Sequence, residues 1–103
     1  MGANYGYDSA YNLGATGVTV TSSGTSQSVS IPNNASGNRT RVVRLMVTGN
    51  LYVKFTKGAG TATTNDLMLS PNFDVVVNCQ TYDTISYIQE ITSAKLNITP
   101  LES

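Results

Sequence analysis

Arg39, Arg41 and Arg44 place half of the six basic residues of this 103-residue chain within one short segment. A guanidinium presents five N–H donors in a rigid fork that matches a carboxylate, so such a cluster could grip acidic groups of a neighbouring subunit. In an extended strand Arg39 and Arg41 share a face and Arg44 takes the other, unless a bulge intervenes. The plainer reading of the same residues is a solvated strand end. A second group suited to binding is Tyr5, Tyr7 and Tyr11. Tyrosine covers a large contact area at low entropic cost and is enriched at interfaces. In a segment whose only larger aliphatic residue besides Met1 is Leu13, the three tyrosines suggest docking on a partner; the alternative is a partly ordered end or a first edge strand.

Little else in the chain can do chemistry. Histidine is absent, which removes the commonest general base, the usual serine or cysteine triad and most transition-metal sites. The acidic residues Asp8, Asp66, Asp74, Asp83, Glu90 and Glu102 are scattered, and paired-carboxylate hydrolysis needs two of them side by side. Asp74, Asp83 or the Asn65-Asp66 pair could ligate calcium, but their spacing is not that of a calcium loop, and aspartate beside a strand is ordinarily turn chemistry. Gly58-Ala59-Gly60 lacks the lysine-serine pair and the helix of a phosphate loop and reads as a hairpin turn. Cys79, the only cysteine, cannot form an internal disulfide and reads as a small buried filler. Asn34, Asn38 and Asn97 each start a glycosylation sequon, at a frequency the Asn, Ser and Thr content explains by chance. The expectation is a protein that is not an enzyme, with no catalytic, cofactor or metal residues.

Composition points the same way. Hydrophobic residues make up 40% and charged residues 12%, about half the usual charged share of roughly 25%. Formal net charge is zero, so no overall field draws in nucleic acid or an anionic membrane. No nucleic-acid partner and no membrane partner is expected. The N-terminus has neither a basic region nor an apolar run, which predicts a chain made in the cytoplasm without a secretory signal.

The elements that must position these residues follow from period-two alternation. Residues 1–16 read as an extended N-terminal arm, whose first 14 residues could span about 45 Å if fully stretched. Residues 17–103 read as one domain. Val18 and Val20, then Val29 and Ile31, predict two strands of a hairpin about the turn Ser22 to Ser26. Val43, Leu45 and Val47 predict the inward face of a long strand. Gly49-Asn50 then turns it into a second, with Leu51, Val53 and Phe55 inward, as a half-buried strand pair. Leu67 and Leu69, then Phe73, Val75 and Val77, then Ile85 and Tyr87, and finally Leu96 and Ile98 repeat the pattern. Seven to eight short antiparallel strands predict an all-β fold, a β-sandwich or jelly-roll-like barrel.

Leu51-Tyr-Val-Lys-Phe, a glycine turn, Thr61-Ala-Thr-Thr-Asn-Asp-Leu-Met-Leu-Ser-Pro-Asn, Phe73-Asp-Val-Val-Val, Thr84-Ile-Ser-Tyr-Ile and Leu96-Asn-Ile-Thr-Pro together carry a likeness. The region from about residue 40 to 101 resembles small virion proteins of tailed bacteriophages, of the capsid decoration or cement type. Ser70 departs from the aliphatic often found before the proline, and the tyrosine-rich leader is not part of the pattern. The resemblance implies a β-sandwich or jelly-roll domain that decorates the outer capsid surface, commonly as a homotrimer, with the major capsid protein as partner and the virion as location. The alternatives are a glycan- or receptor-binding module, with Tyr52, Tyr82 or Tyr87 as sugar platforms, and a neck or tail component.

Overall fold

Alternating β-branched and polar residues form strands because a branched side chain packs well on a pleated surface, and successive side chains point to opposite faces. The computed structural model describes residues 16–101, in which eight strands form: β1 (Val18–Thr21), β2 (Gln27–Ser30), β3 (Val42–Val47), β4 (Leu51–Thr56), β5 (Leu67–Leu69), β6 (Val75–Asn78), β7 (Thr84–Gln89) and β8 (Lys95–Pro100). Among the described residues there is no helix. Tyr5, Tyr7 and Tyr11 lie outside them.

The strands form two four-stranded antiparallel sheets, ordered β1-β8-β3-β6 and β2-β7-β4-β5. Strand β1 pairs with β8, β2 with β7, β3 with β6 and β4 with β5. The chain is therefore a hairpin doubled back on itself, and the midpoint of every such pair falls between Lys57 and Gly60. Rolled into two facing sheets, that ribbon is a jelly roll.

The registers assemble the core in rows. Val18, Ile98, Leu45 and Val75 are successive partners in one row across all four strands of the first sheet. Val29, Ile85 and Phe55 make the equivalent row in the second. Val43, Leu45, Leu51, Ile85, Leu96 and Ile98 are fully buried. Burial of each such side chain contributes roughly 1.5–3 kcal/mol.

Two predicted pairings do not form. Strands β1 and β2 lie in different sheets, as do β3 and β4. Alternation settles which residues face inward but not which strand lies alongside, and each connection crosses to the other sheet. The β3–β4 turn is fastened to the β7–β8 connection instead: Thr48 N–H donates to the Lys95 carbonyl at 3.0 Å, and Asn50 Nδ2 donates to Glu90 Oε1 at 2.9 Å. Phe73, predicted to begin an inward-facing run, is 71% exposed because β6 starts only at Val75.

The β4–β5 connection is the single one among the described residues that returns to its own sheet. It folds back over the outside of that sheet. Ser28 Oγ shares a hydrogen bond of 2.9 Å with Ser86 Oγ and donates to the Gly60 carbonyl at 3.2 Å, while Ala62 N–H donates to Ser26 Oγ at 2.8 Å. This cover explains why Ser86, on the outward face, is fully buried.

Candidate functional sites at a loop end and a sheet edge

The connections after β2, β4 and β6 gather at one end of the sandwich, since alternate connections of an antiparallel ribbon share an end. Between them lies an open cleft of about 430 Å³, lined among others by Ser30, Asn33, Arg39, Gly58, Tyr82 and Asp83. Arg39 Nη2 donates to the carbonyls of Tyr82 at 3.0 Å and Gln80 at 3.4 Å, so the guanidinium holds the β6–β7 loop. Asp83 Oδ1 accepts from Gly58 N–H and from Thr84 Oγ1, each at 2.8 Å, and so holds the β4–β5 loop. The Gly58 N–H, then the Thr84 hydroxyl, keep the Asp83 carboxyl below its ordinary range; partial desolvation opposes them and the Arg39 charge assists. Tyr82 is 41% exposed, and its ring is backed by Phe55 at a centroid distance of 6.2 Å.

The three arginines do not form one patch. Arg39 lines the cleft, whereas Arg44 sits on the outward face of β3, where its Nε donates to Asp74 Oδ2 at 3.0 Å. That bond is the main reason the Asp74 carboxyl lies below its ordinary range. Both partners are well exposed, so the pair fastens the start of β6 to β3 weakly. Arg41 precedes β3, and its carbonyl accepts the Cys79 N–H at 2.8 Å. Cys79 itself is buried, with its thiol donating to the Thr40 carbonyl at 3.6 Å. Asp66 accepts from Thr63 N–H at 2.7 Å, which is turn chemistry. Among the described residues no three His, Cys, Asp or Glu side chains gather as metal ligands would.

The three tyrosines named as sugar platforms are also separated. Tyr87 is buried in the core, and Tyr52 is half-buried on the outward face between Met68 and Ile88. Only Tyr82 lines the cleft.

A second surface lies on one side of the sandwich. Strands β5 and β6 are the edge strands of their sheets. Along this ten-residue segment Leu67 is 50% exposed, Met68 47%, Phe73 71% and Val76 45%. Leu67 faces the inward side in register with Val53, and among the described residues no further strand covers it beyond the edge. Sequence reasoning missed this surface: Leu67 and Phe73 fit the alternation of core residues, and only the strand order shows that they stand at an edge.

Compared with family models, curated proteins and solved structures, the chain matches none of them.

Proposed function

We propose that this chain is a structural virion protein that decorates and cements the capsid of a tailed bacteriophage through protein–protein contacts. The reading is carried by the β5–β6 side of the jelly roll, where four large exposed apolar side chains accompany two strands that are sheet edges among the described residues. Sheet edges and large apolar groups exposed beside them are features by which a small β-protein attaches to another protein surface. The low charge supports it further. Copies packed closely on a shell repel one another less when only 12% of residues are charged and the net charge is zero. The resemblance of residues 40–101 to phage virion proteins implies the major capsid protein as partner and a homotrimer as the assembly.

The test is mass spectrometry of purified virions combined with imaging of the particle. Fixed stoichiometry with density on the outer shell is the expected result. Recovery only in the unbound fraction would count against the proposal, and density confined to the neck or tail would replace it with a tail or neck role.

A further inference from the structure

The cleft at the three-loop end is separate from the β5–β6 side, and its chemistry differs from that of a protein-contact surface. Its two charged groups are each held by hydrogen bonds with the surrounding loops. Arg39 is fixed by carbonyls of the β6–β7 loop, and Asp83 by the Gly58 N–H and the Thr84 hydroxyl. Groups held before a ligand arrives lose little side-chain freedom on binding. Each also keeps capacity. Both bonds of Arg39 leave from Nη2, whereas a guanidinium has five N–H donors; both bonds to Asp83 fall on Oδ1, whereas a carboxylate has two oxygens. Asn33 adds an exposed amide, and the exposed Tyr82 ring, backed by Phe55, adds an apolar platform.

From this arrangement the geometry points to a binding site for a neutral saccharide. A pyranose carries hydroxyls that both donate and accept, which a guanidinium beside a carboxylate and an amide can satisfy together. It also presents a C–H face that packs on an aromatic ring, as the Tyr82 platform requires. The opposite charges of Arg39 and Asp83 cancel over the cleft as a whole, so no net field draws in a phosphate or an ammonium group ahead of an uncharged partner. The volume of about 430 Å³ lies within the range of small-molecule sites, roughly 300–1,000 Å³. An open cleft of this size takes one or two sugar units at the end of a chain. The inference does not depend on the capsid reading, since it uses none of the residues of the β5–β6 side.

The test uses the full-length protein, titrated with neutral hexose and N-acetylhexosamine disaccharides and, separately, with inorganic phosphate, while backbone amide NMR signals are followed. At least one disaccharide should shift Gly58, Ala59, Tyr82 and Thr84 in a saturable way, with phosphate leaving them in place. Tyr82→Ala should weaken binding roughly tenfold, equivalent to about 1.4 kcal/mol. Because Tyr82 rests on Phe55, Asn33→Ala at an exposed loop position serves as a second variant; it should also weaken binding with the rest of the spectrum unchanged. Shifts with phosphate but with none of the saccharides would overturn the proposal. So would saccharide shifts confined to other parts of the molecule, or undiminished binding by both variants.

Discussion

Asp74 and Asp83 hold their carboxyls below the ordinary aspartate value, the first chiefly through Arg44 and the second through the Gly58 N–H and the Thr84 hydroxyl. A group whose pKa is lower when folded adds stability above its unfolded pKa, about 3.9 for aspartate, and that contribution is lost as pH falls through the folded value. Tyr87 works in the opposite sense. Burial raises its pKa, so its contribution is complete below the unfolded tyrosine value of about 10 and is lost as pH rises through the folded one. Urea unfolding across pH should therefore show a plateau near neutrality that falls off at both ends. Tyr87→Phe should flatten the alkaline decline and leave the acid one; an unchanged alkaline limb would place its cause elsewhere. In the core, Ile98 is fully buried and pairs with both Val18 and Leu45. Ile98→Ala should cost about 2–5 kcal/mol in the same assay.

At the scale of the elements, two glycines do different work. A Cβ on Gly17 would lie 2.4 Å from the Ile98 carbonyl oxygen, and that oxygen belongs to the backbone of β8, which cannot turn aside as a side chain can. Gly17→Ala should therefore push the start of β1 off its partner and destabilise by about 1–3 kcal/mol. Gly58 has open space around it but a φ of +73°, so alanine there pays only the left-handed backbone penalty of roughly 1–2 kcal/mol. Thermal unfolding of both variants checks the pair, and amide exchange should quicken at β1 in the first variant alone. The strands themselves were readable because alternation is local: Val43, Leu45 and Val47 are buried as their spacing requires. Their partners were not readable. The Ser22–Ser26 and Gly49-Asn50 segments look like hairpin turns, yet the chain crosses between sheets at both, since closing two facing sheets buries more apolar surface than extending one.

At the scale of the whole molecule, the β5–β6 side gives the proposed capsid role its sharpest test. Phe73 and Val76 are exposed, so a charge at either position disturbs little of the core. Phe73→Asp and Val76→Asp should unfold within a few degrees of the unaltered protein yet lose attachment to capsids in co-sedimentation. Retained attachment by both would remove this side from the interface. The cleft at the three-loop end should be unaffected, which keeps the two surfaces experimentally separate.

The candidate sites were legible to different degrees, for the same reason. Arg39 and Tyr82 could be singled out by residue type, but they stand 43 positions apart and no local pattern shows that one holds the loop carrying the other. Arg44 was grouped with Arg39 by proximity in the chain, and the fold turned it to Asp74 instead. The sequence by itself determined the all-β class, the inward face of most strands and the scarcity of groups able to do chemistry, because composition and period-two alternation act within a few residues. Only the tertiary structure decided the jelly-roll winding, the exposed β5–β6 side and the cleft. Each depends on pairings such as Val18 with Ile98, which join distant segments and are chosen by the closure of the whole core.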